Sequence, residues 1–311
     1  MAIKKLEDLI DIVKKKPKKK VIVAFGQDET TILATKRAIE LNFAEFTLIG
    51  NKNVIKKVCA DHDINPDIYT IIHEPRELES GIKAISMVKN GEGDVLMKGL
   101  ISTDKLLKCM LDKENGVMIP NAVLSHVSIA EIPNYHKLII FTDAAFIPRP
   151  NIEQKIAMTR YVIETARKIG VKRPKVAIIS FSEKTNPKIP TSVDAAFISK
   201  MADRNQIKNA DIDGPLSIDL AIDPVSLKYK GVTSCVEANA DCLVFPFLEA
   251  ANVFYKSLTY FAHADMATYI VGTKVPITLS SRSDTVRNKL YSLAFACLMA
   301  EDIDDEVGKE K

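Results

Sequence analysis

Five consecutive polar residues, Ser280-Ser281-Arg282-Ser283-Asp284, stand between an apolar run, VPITL, and a long helical pattern, TVRNKLYSLAFACLM. A helix start leaves backbone N–H groups without intrahelical partners, and serine or aspartate oxygens satisfy them. Capping of this kind accounts for Ser283 and for Asp284. It leaves Arg282 unexplained, because a cation at the positive end of a helix is misplaced unless an anion sits there too. N–H groups and dipole together make such an end an anion site. The spacing therefore predicts a phosphate held by these N–H groups, the serine hydroxyls and Arg282.

A second strand–turn–helix stretch, DVLMKGLISTDKLLKCML at 94–111, repeats the logic. Lys98 supplies a point charge suited to phosphate, Gly99 permits close backbone approach, and Ser102 and Thr103 open the helix. Capping by itself would explain one of the two hydroxyls. Two such corners imply a ligand with several phosphates, or two phosphorylated ligands. Asp213-Gly214-Pro215 is read as a turn that starts a helix at Pro215, or as part of a cleft wall. Asn252 and Lys256 share a helix face at i,i+4, either solvated or facing a site. His126, His136 and His263 are isolated, no pair shows metal-ligand spacing, and no metal is expected.

Other chemistries are excluded by what is missing. GEGDVL at 91–96 lacks the third glycine of a dinucleotide fingerprint and precedes a strand, where that motif follows one. Neither a GxxxxGK[ST] loop nor a GxSxG elbow occurs. A net charge of +3 gives no reason to expect nucleic acid, and KKKPKKK at 14–20 reads as a solvated turn. No apolar run reaches the ~20 residues of a membrane span, and MAIKKLEDLIDIVKKK is an amphipathic helix with no signal-peptide core. The expected location is the cytoplasm, away from membranes. The five cysteines, without CxxC spacing, are expected to be reduced, buried and inert.

The elements that must hold these residues alternate along 311 residues, a length that suggests two domains. Apolar, β-branched runs at 21–25, 46–49, 68–72, 94–97, 137–143, 175–181, 242–247, 268–272 and 276–280 read as strands. Amphipathic helices fit at 30–41, 80–90, 153–169, 192–203 and 285–300. Such alternation predicts an α/β architecture with largely parallel sheets buried on both faces. The prolines of PRPN at 148–151 mark a boundary after the strand at 137–143.

Five segments in order, VLMKGLIST (95–103), LSHVSIAEIPNYHKLIIFTDAA (124–145), DGPLSIDLAI (213–222), EAANVFYKSLTYF (249–261) and SSRSDTVRNKL (280–290), resemble the phosphate acetyl/butyryltransferase family, closest to its butyryltransferase branch. The resemblance implies two three-layer α/β domains related to the isocitrate and isopropylmalate dehydrogenases. It places 1–143 with 268–311 around an inserted domain at 144–267, the active site in the cleft between them. It also implies a homo-oligomer, dimer or higher, with no permanently bound cofactor. Coenzyme A, acyl-CoA, acyl phosphate and inorganic phosphate would be its small-molecule partners.

The reaction so implied is direct acyl transfer between coenzyme A and phosphate, with no covalent acyl-enzyme. Ser281 and Arg282 match a serine–arginine pair of the acetyltransferases, in which arginine binds phosphate and serine hydrogen-bonds in the transition state. The aspartate proposed there as base falls here on Asn288, which cannot take a proton, and Asp284 is the available carboxylate. An arginine of the preceding acetyltransferase helix falls on Thr259, with Lys256 the nearest cation. The catalytic set is thus Ser281, Arg282 and Asp284. Lys98, Gly99, Ser102, Thr103, Ser283, Asp213, Gly214, Asn252 and Lys256 are expected to bind phosphate or coenzyme A. Three alternatives stay open: a phosphate acetyltransferase acting mainly on acetyl-CoA, an NAD-dependent dehydrogenase on the same fold, and a non-enzymatic acyl-CoA or phosphate-binding protein.

Overall fold

The computed structural model describes residues 2–279 and 284–300. In chain order the elements begin α1 (Glu7–Val13), β1 (Lys19–Ala24), α2 (Glu29–Glu40), β2 (Ala44–Gly50), α3 (Lys52–Asp61), β3 (Thr70–His73), α4 (Glu77–Lys89), β4 (Val95–Lys98) and α5 (Thr103–Met110). They continue β5 (Ser125–Glu131), β6 (Ile139–Thr142), α6 (Ile152–Lys168), β7 (Lys175–Ile179), α7 (Pro190–Asp203), β8 (Asp211–Leu216), α8 (Ile218–Ile222) and α9 (Pro224–Lys230). The last are β9 (Cys242–Val244), α10 (Leu248–Tyr260), β10 (Asp265–Val271), β11 (Ile277–Thr278) and α11 (Val286–Met299).

The chain divides into two compact units, the first Leu6–Leu124 with Met266–Lys311 and the second Met1–Lys5 with Ser125–Asp265. In the first, the strand order is β3-β2-β1-β4-β11-β10, parallel except where β11 meets β10. Val21, Ile22, Val23 and Ala24 of β1 and Val95, Leu96 and Met97 of β4 are buried, the pattern of strands covered on both faces. Every residue of α11 from Asn288 to Met299 is buried, and the helix packs against α1 and α2. A helix apolar nearly all round belongs inside a core.

In the second unit the order is β5-β6-β9-β7-β8, parallel except for the β5–β6 pair. These boundaries fall at 124/125 and 265/266, where the resemblance set them at 143/144 and 267/268. The strand pairing explains the first difference. β6 bonds to β5 on one side and to β9 on the other, so Ser125–Thr142 stays with the second unit's sheet.

Two strands were not legible. β5 carries Ser125, His126 and Ser128 among its apolar residues, and β8 contains Asp213-Gly214-Pro215. The expected turn with a helix beginning at Pro215 is therefore corrected: Pro215 lies inside a strand, and α8 begins at Ile218. β8 is the last strand of its row, where a proline's missing N–H costs no ladder bond. Among the cysteines, Cys59, Cys109, Cys242 and Cys297 are buried as expected, whereas Cys235 is exposed.

Candidate functional site

The path of the first unit's chain selects a place. From β1 it steps outward through β2 and β3, then returns to lay β4 on the other side of β1. Ligands of open α/β sheets bind beyond the carboxyl ends of the strands at such a switch point. Lys98 ends β4, with Gly99 next in the chain. β11 runs parallel to β4, pairing Ile277 with Leu96 and Thr278 with Met97, so the chain leaves β11 beside that same end. Ser280, Ser281, Arg282 and Ser283, four of the five residues of the expected anion motif, lie outside the described residues.

The turn after β4 is pressed onto the turn after β1. Gly99 and Leu100 donate their N–H groups to the carbonyls of Ala24 and Phe25, both at 2.9 Å. A Cβ on Gly99 would lie 2.5 Å from the Phe25 oxygen, so only glycine fits. The close approach foreseen for Gly99 is thus to the protein's own backbone. Phe25 is held at φ 55, a left-handed conformation that costs a bulky residue energy, and its N–H donates to Ser80 Oγ at 2.8 Å. Lys98 is only 3% exposed, with its Nζ 3.3 Å from the Gly99 carbonyl.

Ser102 stands at the N-cap position of α5 in extended conformation, yet its hydroxyl makes no capping bond. The oxygen is buried and makes no hydrogen bond of good geometry among the described residues, though it lies close enough to Glu77 to help hold that carboxyl down. Glu77 takes over part of the cap by accepting the Ser102 N–H at 2.6 Å, and it also binds Lys105. These contacts, Lys105 first, hold the Glu77 carboxyl below its ordinary range. Capping therefore does not occupy the Ser102 hydroxyl. Thr103, the first residue of α5, is half-buried.

At the other helix the expected caps are corrected. Thr285 caps α11, its Oγ1 accepting the Asn288 N–H at 3.1 Å, and Asp284 precedes the cap, half-buried. A capping residue needs extended backbone next to the first helical turn, and Thr285 has it, at φ −66 and ψ 157. Asn288 is fastened inward, with its Oδ1 accepting the Met266 N–H at 3.2 Å. One residue on, Lys289 is 3% exposed and reaches Asp28 Oδ1 at 3.3 Å and Thr31 Oγ1 at 3.0 Å. Asp28 caps α2 just after the β1 turn. Burial pushes its carboxyl up, but the Lys289 charge and bonds from Thr31 and Thr30 outweigh burial and leave it lowered. Sequence reasoning missed this pair because nothing in either local pattern points to the other.

The second unit holds a polar corner of its own. Asp143 is 2% exposed; Oδ2 accepts from Ser125 Oγ at 3.0 Å and the His126 N–H at 3.2 Å. Oδ1 accepts the N–H groups of Ala145 and Phe146 at 2.8 and 2.9 Å. The His126 ring lies against Phe146 and Tyr255, and burial pushes its pKa down despite the neighbouring Asp143 charge. Asn252 donates to the Ala144 carbonyl at 3.0 Å, while Lys256, half-buried, lies 5.2 Å from the centre of the Tyr255 ring. Thr259, at the position of the missing arginine, bonds back to the Tyr255 carbonyl at 2.9 Å.

Asp213 and Gly214 are elsewhere in this unit. They sit on β8, separated from β6 by β9 and β7, so they are not brought to the Asn252 corner. Asp213 accepts the N–H of Gly214 at 2.8 Å, and a Cβ on Gly214 would come within 2.7 Å of the Ile178 oxygen.

A family model, phosphate acetyl/butaryl transferase, matches residues 71–297. The chain belongs to this family. Phosphate butyryltransferase of Clostridium acetobutylicum is 37% identical over 298 residues, covering 96% of this chain and 99% of that protein. Phosphate acetyltransferase of Thermotoga maritima is equally similar, 37% over 295 residues, covering 95% and 99%. Among solved structures, a branched-chain phosphotransacylase from Enterococcus faecalis V583 superposes with a TM-score of 0.80 at 33% identity, covering 91% of this chain and 99% of that one.

Proposed function

We propose that this enzyme exchanges a short acyl group, butyryl or a branched four-carbon analogue, between coenzyme A and inorganic phosphate. The observation that carries the reading is the β1–β4 switch point: a buried lysine, and a serine at a helix start whose hydroxyl is withheld from capping. Buried polar atoms in native proteins find partners, so a hydroxyl without one among the described residues leaves a place for a ligand oxygen beside the lysine charge. The similarity to a phosphate butyryltransferase and to a branched-chain phosphotransacylase supports the acyl class and its length.

The coenzyme A sulfur attacks the carbonyl carbon of the acyl phosphate, the carbon–oxygen bond to phosphate breaks, and phosphate leaves with the bonding pair. In reverse, a phosphate oxygen attacks acyl-CoA and the thiolate departs. The chain's task is to hold two anions, take up the thiol proton and stabilise the oxyanion. Arg282, Lys98 and the hydroxyls of Ser102, Thr103 and Ser283 are assigned to the anions, Ser281 to the transition-state oxygen, and Asp284 to the proton. Asn252 and Lys256 are assigned to the coenzyme. Coenzyme A is a substrate in this scheme and no further cofactor is needed. No described helix is long and apolar enough to cross a membrane, and cytoplasmic action as a homo-oligomer fits substrates of this kind.

The test is phosphate-dependent thiol release from a series of acyl-CoAs, two to six carbons long. A C4 substrate should show kcat/KM at least about thirtyfold above acetyl-CoA, since each of the two added methylenes in an apolar pocket contributes on the order of 1 kcal/mol. A higher value for acetyl-CoA would assign the chain to acetyl transfer.

A further inference from the structure

We infer that Asp28 and Lys289 are a positioning pair, holding the start of α11 at a fixed place against the turns after β1 and β4. The inference rests on the function proposed above and adds two residues that act through others. Lys289 lies one turn into α11, its N–H bonded to the Thr285 carbonyl at 3.0 Å, and so follows directly on Asp284 and the cap. Asp28 closes the turn Phe25–Gln27, whose first residue is the wall against which Gly99 is pressed. One carboxylate oxygen thereby gathers three donors from two elements: Thr30 Oγ1 at 2.9 Å, the Thr31 N–H at 3.0 Å and Lys289 Nζ at 3.3 Å. Its other oxygen, Oδ2, is buried and has no partner among the described residues.

A buried ion pair is a poor source of stability, because desolvation offsets most of its attraction and an apolar pair of the same volume often does as well. What it supplies is selectivity of arrangement. Apolar surfaces of α11 and α2 could slide by a fraction of a turn and still exclude water, whereas an ammonium buried between Asp28 and Thr31 is satisfied at one registry only. That registry fixes where the α11 N-terminus, with Asp284 ahead of it, stands relative to Lys98 and Ser102. A displacement of about 1 Å at a reacting centre can lower a rate by ~10²-fold.

The test compares the parent with Asp28→Asn/Lys289→Met, which removes both charges while asparagine keeps the α2 cap and methionine keeps most of the lysine stem. Melting temperature, KM for phosphate, kcat with butyryl-CoA, and Kd for coenzyme A are measured, with the rise in melting temperature caused by inorganic phosphate followed in parallel. The expected result is a double variant that melts within a few degrees of the parent but shows KM for phosphate raised roughly tenfold, a smaller phosphate-induced rise, and unchanged coenzyme A affinity. Lys289→Arg should restore most of the phosphate affinity. Parental phosphate kinetics in the double variant would overturn the inference and leave the pair a fold contact. If the double variant does not fold, Thr31→Val, which removes one acceptor of the Lys289 ammonium and keeps both charges, carries the same comparison, with the same outcomes. A parent without phosphate-dependent turnover would refute the proposed function, and the phosphate-induced melting shift, lost or kept in the variant, would still decide the pair.

Discussion

The polar corner of the second unit and the polar corner of the first are built from similar residues and differ in how completely they are satisfied. Around Asp143, both carboxylate oxygens receive two donors each, from Ser125, His126, Ala145 and Phe146, and Asn252 ties down the next carbonyl. At the β1–β4 switch point, the Ser102 hydroxyl and Asp28 Oδ2 are buried without hydrogen-bond partners among the described residues, and Thr278 Oγ1, at the end of β11, is in the same state. A network that satisfies itself rigidifies the fold, while one left incomplete is completed by something from outside. The first kind should respond to mutation in stability, the second in binding and turnover.

The largest effect should come from breaking the satisfied network. Asp143→Ala strands four donors in a buried place and is expected to cost about 3 kcal/mol of stability, read as a lower urea midpoint at unchanged m. A loss under 1 kcal/mol would show that the corner is less closed than its bonds imply.

Next is Asp284→Asn, on the other side of the comparison. Thr285 holds the α11 cap, so the melting temperature should hold while kcat falls by roughly 10²-fold, the usual contribution of a positioned base. Near-parental turnover would remove Asp284 from the chemistry.

Ser102→Ala sharpens the contrast further. Deleting a hydroxyl with no partner should leave stability the same or slightly higher, while KM for phosphate or coenzyme A rises about fivefold through the loss of one ligand bond. Greater stability with unaltered kinetics would mean that the hydroxyl meets no ligand.

The smallest effect concerns His126 and pH. Burial lowers its pKa below the ordinary value of 6.5, so the unfolded chain takes up a proton that the folded chain refuses. Its contribution is fully present above pH ~6.5 and is lost as pH falls from there toward the folded value. Urea midpoints from pH 7.5 to 5 should fall toward acid in the parent and fall less in His126→Gln. Equal slopes would place the titration elsewhere.

Much was legible because it is local. Runs such as Val21–Ala24 and Val95–Met97 name buried parallel strands, and the strand end at Lys98, the turn at Gly99 and the helix start at Ser102 are legible together because they are adjacent in the chain. β5 and β8 were hidden because Ser125, His126 and Ser128, or Asp213 and Pro215, break the apolar pattern. The polar side chains of β5 find partners around Asp143 and on the strand itself, Ser128 Oγ lying 3.4 Å from His126 Nδ1. β8 tolerates its proline as an outer strand. The cap of α11 was placed on Ser283 and Asp284 because residue type permits it there, while the observed backbone gives the role to Thr285. Local sequence thus determined most of the strands and helices, since those depend on side chains a few positions apart. The tertiary structure alone decided that Asp28 meets Lys289 across 261 positions and that Glu77 receives the Ser102 N–H across 25. The reason is physical: a charge or hydroxyl carries no mark of its distant partner until packing removes the water that would otherwise serve as one.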